Sequence, residues 1–187
     1  MSNLAVFASG SGSNAENFMQ CFSNSDIKIT RIFCNNSQAG VIEHAKNFNI
    51  PVHIFDRNEF YDTNSVLKTL KNDSTDYIIL AGFLWLIPHY LIQAFEKKII
   101  NIHPALLPKY GGKGMYGKKV HEAVIANKET QSGITIHLVD EIYDNGKILF
   151  QAFCSIQEND TPEILANKIH DLEYEYFPKV IRDYINL

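Results

Sequence analysis

The chain has 187 residues, 45% of them hydrophobic and 20% charged, which excludes a disordered tract, a collagen-like repeat and a coiled-coil rod. A single domain spanning residues 1–187 is expected, burying roughly two-thirds of its unfolded surface. Seventeen Lys and Arg against 21 Asp and Glu leave a formal net charge of −4, so no positive field would hold nucleic acid; a phosphate must be gripped locally, by backbone N–H groups or a few placed side chains.

In chain order, strands are expected at residues 4–8, 27–34, 52–55, 77–81 and 99–103, short runs rich in Val, Ile and Phe. Helical stretches at 15–22, 41–48, 63–71 and 88–95 separate them, and this rhythm predicts βαβ units in a doubly wound, mostly parallel sheet. After His103 comes PALLPKYGGKGMYGKK, with two prolines and four of the ten glycines, which reads as a long functional loop. A helix at 120–126 follows, then strands at 134–139 and 147–153 read as an antiparallel pair. Thr161-Pro162-Glu163 opens a terminal helix to residue 185 with a hydroxyl cap, a first-turn proline and a carboxylate facing the dipole. Cys21, Cys34 and Cys154 are widely spaced and in no C-x-x-C arrangement, the usage of a reducing compartment. The amino terminus carries no basic leader and no run long enough to span a membrane, so a cytoplasmic location without membrane contact is expected.

Three places carry candidate chemistry. The first strand runs into Ser9-Gly10-Ser11-Gly12-Ser13-Asn14 and then a helix, a loop that suits a bound anion at a helix N-terminus. It lacks the Gly-Lys-Ser/Thr ending of a P-loop; Ala15 leaves a dinucleotide reading open, and the plain alternative is a tight turn with a Ser or Asn cap. At the carboxyl end of the fifth strand, alternation puts Asn101 and His103 on one side, an amide for a developing oxyanion beside an imidazole for proton transfer. Among Asp140, Glu141 and Asp144, a carboxylate near His103 would favour imidazolium or hold one tautomer; the alternative is a solvated acidic turn. His137, in register with Thr135, supports that site. No serine lies in a nucleophile elbow and no cysteine neighbours a placed histidine, which favours direct transfer over an acyl-enzyme. His103, His137 and Asp144 lack metal-site spacing, so no metal is expected.

SGSGSN, AGFLWLIP at 81–88, NIHPALLPKYGGKGMYG at 101–117 and HLVDEIYDNGKIL at 137–149 together resemble the phosphoribosylglycinamide formyltransferase family, the folate-dependent transformylases of purine biosynthesis. The resemblance is nearly full-length and implies a Rossmann-like sheet of seven strands with helices on both faces, the nucleotide in about residues 1–100 and 10-formyltetrahydrofolate, as co-substrate, in about 101–187. It implies Asn101, His103 and Asp144 as the catalytic trio, Gly12, Ser13 and Asn14 at the nucleotide phosphate, and Glu173 with His170 at the ribose. The folate would meet Leu84, Trp85, Leu86, Ile87, Asn101, Asp140, Glu141 and Asp144. A cis Leu107-Pro108 bond is also implied. Trp85 stands where many members carry Arg, Arg57 and Asn58 compete for a folate-contacting position, and residues 111–117 form a longer Gly-rich segment than in some relatives. Small-molecule partners and a monomer or homodimer are expected. Within the same superfamily, a formyltetrahydrofolate deformylase would add an N-terminal regulatory domain and a methionyl-transfer-RNA formyltransferase a basic C-terminal extension. A nucleotide-binding module without catalysis is the reading from another class.

Overall fold

The computed structural model describes residues 1–186. Its strands are β1 (Ser2–Ala8), β2 (Ile27–Cys34), β3 (Val52–Ile54), β4 (Tyr77–Leu80), β5 (Ile99–His103), β6 (Gln131–Leu138) and β7 (Ile148–Ser155). Its helices are α1 (Ser13–Phe22), α2 (Val41–Asn47), α3 (Arg57–Tyr61), α4 (Ser65–Asn72), α5 (His89–Ala94), α6 (Lys118–Ala126) and α7 (Pro162–Ile185). The strands form one sheet in the order β3-β2-β1-β4-β5-β6-β7. Pairing is parallel between β1 and β2, β1 and β4, and β2 and β3, and antiparallel between β6 and β7. The doubly wound, mostly parallel sheet of seven strands read from the sequence therefore forms, and the reversal of strand order beside β1 is where such sheets bind ligands.

The chain divides into two compact units, residues 1–100 and a second beginning at Asn101. In the first, Leu4, Ala5, Val6, Phe7 and Ala8 are all fully buried. Because side chains alternate along a strand, both faces of β1 are covered, the condition for a near-continuous apolar run. The Phe7 ring stacks on Phe33 at 4.7 Å and meets Phe83 edge-on at 5.4 Å. The expectation left 57–61 without structure, yet α3 forms there because Asp56 caps it, its Oδ1 accepting from the Glu59 N–H at 2.9 Å. Five residues are too few for a helical period to show in sequence.

In the second unit β6 starts at Gln131, three residues earlier than expected, because Gly133 belongs to the strand. A Cβ there would sit 1.9 Å from the Ala152 carbonyl oxygen of β7, so the glycine marks a close backbone approach and not a break. The terminal helix α7 begins as read, the Thr161 hydroxyl accepting from the Ile164 N–H at 3.3 Å with Pro162 in the first turn. It packs against α6, β6 and β7. The Leu107-Pro108 bond is cis.

Candidate active site

The first unit carries the Gly-Ser loop. Gly12 has φ +83 and ends the loop at the start of α1; a Cβ on it would lie 2.5 Å from Val41 Cβ, so glycine is required twice over. No side chain caps α1. The Ser or Asn cap considered from sequence is thus absent among the described residues, and a ten-residue helix that starts without a side-chain cap suits an anion. Ser13 opens the helix and Asn14 is buried one residue on. The Ser9 hydroxyl accepts from the Leu84 N–H at 3.2 Å, tying this loop to the segment after β4.

That segment, Leu84, Trp85, Leu86 and Ile87, has one exposed apolar side chain, Leu84, and one buried, Ile87. The Leu86 carbonyl accepts from the Tyr61 hydroxyl at 3.0 Å. Trp85 meets Phe55 edge-on at 6.0 Å, and the Arg57 guanidinium lies over its face at 5.0 Å. Arg57, and not Asn58, lines a cavity of about 520 Å³ with Asn35, Ser37, Phe55, Asp56 and Trp85.

The second unit carries the cluster of imidazoles and carboxylate. Ile102 of β5 is buried, and Pro104 follows where the strand stops. His103, 3% exposed, faces the Asp144 carboxylate, with Nδ1 3.4 Å from Oδ2, and its Nε2 lies 2.7 Å from the Tyr110 carbonyl oxygen. A carbonyl only accepts, so Nε2 carries the hydrogen and Nδ1 is the nitrogen that titrates. Asn101 Nδ2 lies 3.1 Å from His137 Nε2, and His137 Nδ1 donates to the Leu138 carbonyl at 2.8 Å. That tautomer leaves Nε2 as an acceptor for one Asn101 amide hydrogen and frees the other. His137 Nε2 is also 3.7 Å from Asp144 Oδ1, so one carboxylate stands between two imidazoles.

Asp144 wins over its acidic neighbours through its backbone. Its φ is +55, in the left-handed region, and its Oδ2 accepts from the Gly112 N–H at 2.9 Å. Asp140 is spent on the turn, accepting from the Ile142 N–H and the Asn145 amide at 2.9 Å each, while Glu141 is exposed. Burial pushes the Asp144 carboxyl up, but the neighbouring His137 and His103 imidazoles and the Gly112 N–H outweigh it and hold it below the usual carboxylate value. His103 departs from the expectation. Burial is the largest influence and lowers it, and neither the Asp144 charge nor the Tyr110 carbonyl brings it back to the ordinary imidazole value. A neighbouring carboxylate is visible in sequence; the low-dielectric surroundings that outweigh it are not.

Thr135 is fully buried and does more than support. Its hydroxyl donates to the Ala105 carbonyl at 2.7 Å and accepts from the Leu107 N–H at 3.0 Å and Gln151 Nε2 at 2.8 Å, pinning the chain just after His103. Gln151, Tyr110 and His121 escaped the sequence reading. His121 sits on the apolar face of α6 with Val120 and Val124, 5% exposed, and its Nδ1 is buried without a partner; helical spacing alone makes it look like core. On α7, Glu173 is buried and its Oε2 pairs with His170 Nδ1 at 3.1 Å, which raises the imidazole. No group of three or more His, Cys, Asp or Glu placed to hold a metal occurs among the described residues, and no described helix is long and apolar enough to cross a membrane.

Comparison with known proteins adds an independent line. A family model described as formyl transferase matches residues 2–181. A chloroplastic phosphoribosylglycinamide formyltransferase of Vigna unguiculata is 42% identical over 184 residues, covering 95% of this chain and 59% of that protein. The Bacillus subtilis phosphoribosylglycinamide formyltransferase is 37% identical over 193 residues, covering 100% and 96% respectively. The chain thus spans about three-fifths of the plant relative and nearly all of the bacterial one. The crystal structure of phosphoribosylglycinamide formyltransferase from Bacillus halodurans superposes with a TM-score of 0.87 at 34% identity, covering 97% of this chain and 94% of that one.

Proposed function

The chain belongs to the formyl transferase family, and from that premise we propose that it transfers the formyl group of 10-formyltetrahydrofolate to the free amine of glycinamide ribonucleotide, a step of purine biosynthesis. The observation that carries the reading is the carboxylate shared by two imidazoles with an amide alongside: Asp144 lies 3.4 Å from His103 and 3.7 Å from His137, and His137 holds Asn101 at 3.1 Å.

In this reading the amine attacks the formyl carbon directly, and no residue of the chain becomes acylated. Asn101 gives its free amide hydrogen to the oxyanion, its other hydrogen being fixed on His137. His103 presents Nδ1 to the same charge while Nε2 stays on the Tyr110 carbonyl. Burial disfavours imidazolium in the resting protein, so negative charge forming beside Nδ1 draws the proton on most strongly in the transition state, where stabilisation accelerates the reaction. Attack forms the new C–N bond and a tetrahedral oxyanion; as this collapses, the bond to the folate nitrogen breaks and Asp144 passes the amine proton through a water to that departing nitrogen.

Binding follows from the two units taken separately. Gly12, Ser13 and Asn14 would hold the nucleotide phosphate at the uncapped end of α1, and Glu173 with His170 the ribose. For the folate, the candidate contacts in the first unit are Leu84, Trp85, Leu86 and Ile87, and those in the second are Asp140 and Glu141 of the β6–β7 turn. Arg57 of α3, whose guanidinium lies over the Trp85 ring, would offer the folate a positive charge beside that segment.

The test is spectroscopic release of tetrahydrofolate with and without glycinamide ribonucleotide. Amine-dependent release supports transfer. Amine-independent release would mark a hydrolase of the deformylase type, and nucleotide binding without release a module that only binds.

A further inference from the structure

The turn after the cis Leu107-Pro108 bond touches the proton chemistry from both sides. Tyr110 has φ +57, a left-handed conformation that side-chain-bearing residues rarely adopt. Its carbonyl oxygen is thereby turned onto His103 Nε2 at 2.7 Å, and two residues later the Gly112 N–H reaches Asp144 Oδ2 at 2.9 Å. A Cβ on Gly111 between them would lie 2.5 Å from Leu107 Cδ2 and 3.3 Å from Asp144 Cβ, so a side chain there would have to displace Leu107 and crowd Asp144. The Tyr110 phenol is anchored in turn: its hydroxyl donates to Glu129 Oε1 at 2.9 Å and accepts from Asn127 Nδ2 at 3.0 Å. Glu129 is also held by Lys109 Nζ at 2.9 Å. Hydrogen bonds at one end of the tyrosine thus hold an unfavourable backbone conformation at the other.

We propose that Tyr110 is a positioning residue for His103: its phenol, clamped by Glu129 and Asn127, keeps its carbonyl on Nε2 and so commits Nδ1 to the side facing Asp144 and the reacting carbon. The role resembles that of the carboxylate that orients histidine in a hydrolase triad, performed here by a backbone group. A backbone carbonyl carries no net charge, so it fixes the tautomer without adding a second anion beside Asp144. The groups facing His103 are Asp144 from the β6–β7 turn, His137 from β6, Glu173 from α7, His121 from α6 and the Tyr110 carbonyl; the clamp controls only the last.

The kinetic arm of the test rests on the formyl-transfer reading; the spectroscopic arm does not. Tyr110→Phe removes the hydroxyl and keeps the ring. It should lower kcat by about tenfold, the effect of losing one well-placed hydrogen bond, with both KM values within about twofold of wild type. The His103 imidazole, followed by NMR titration and assigned by its loss in His103→Asn, should titrate at lower pH in Tyr110→Phe, because an accepting carbonyl favours imidazolium. Glu129→Ala should reproduce both effects, and the double variant should be no worse than either single one, as members of one chain of contacts behave. Glu129→Gln, whose amide oxygen still accepts from the phenol, should restore them. An unchanged His103 titration in Tyr110→Phe, or additive losses in the double variant, would overturn the proposal. A wild-type chain without amine-dependent transfer would instead overturn the functional reading and leave the titration to decide the clamp.

Discussion

Replacing Asp144 by Asn tests the charge at the centre of the site while sparing its shape. The amide oxygen of Asn can still accept from the Gly112 N–H, now 2.9 Å from the carboxylate, so the turn keeps its anchor. What disappears is a negative charge 3.4 Å from His103 Nδ1, between side chains 4% and 11% exposed. Coulomb's law at that separation, with an effective dielectric of about 20, gives about 5 kcal/mol of gross attraction. Desolvation consumes much of that, and opposite charges at such range shift a partner by one to three pKa units, or about 1.4 to 4 kcal/mol. Since burial already holds His103 below its ordinary value, removing Asp144 depresses it further and leaves the oxyanion without its imidazolium. The turnover number at neutral pH should fall about a hundredfold, with the nucleotide dissociation constant, measured by calorimetry, unchanged. The sign of the pH dependence is the sharper point. Lower pH refills the depressed imidazolium, so the ratio of variant to wild-type rate should rise as pH falls but stay below one, because the proton relay through Asp144 remains lost; titration of the substrate amine cancels in this comparison. A loss below about threefold, or a ratio flat with pH, would refute this account of the carboxylate.

Gly146→Ala should destabilise the protein by about 3 kcal/mol and cut turnover together, because a Cβ there would lie 1.8 Å from the Leu138 carbonyl oxygen and must displace the turn that carries Asp144; urea denaturation alongside kinetics checks both. Arg57→Ala should raise the KM for the folate about two- to fivefold, the worth of an exposed cation–π contact, and leave the KM for the nucleotide alone; equal changes in both would dissociate this stack from the folate. His103 and His121 are both held below the ordinary imidazole value by burial, so the stability they confer is full above pH about 6.5 and is lost as pH falls toward their folded-state values. His170, raised by Glu173, contributes in the opposite sense, its stabilisation fading as pH rises. Melting temperatures between pH 7.5 and 5.5 should therefore fall less steeply in His121→Leu than in wild type, and an unchanged slope would count against burial as the cause.

The parts of the site legible in sequence share a local origin. Asn101 and His103 are two residues apart on a strand, and a period of two is a property of the chain alone; the same holds for Thr135 and His137. The Gly-Ser loop is legible because a strand, two glycines and a helix in succession leave few conformations. Choosing Asp144 over Asp140 and Glu141 is different, since from composition the three are equivalent acids in a turn. Asp144 reaches His103 because its φ is +55 and because Gly146 lets the turn fold against the Leu138 carbonyl, and such choices depend on contacts made only when the sheet exists. Tyr110 was illegible for a deeper reason: it acts on His103 through a carbonyl that every residue possesses, and only its left-handed backbone sets it apart. The direction of the His103 shift follows the same division. Charge patterns along a chain say which ions are neighbours, whereas burial, which here outweighs the neighbouring ion, belongs to the packed molecule. Residue identity in this chain thus points to the kind of chemistry, and packing decides which proton it commands.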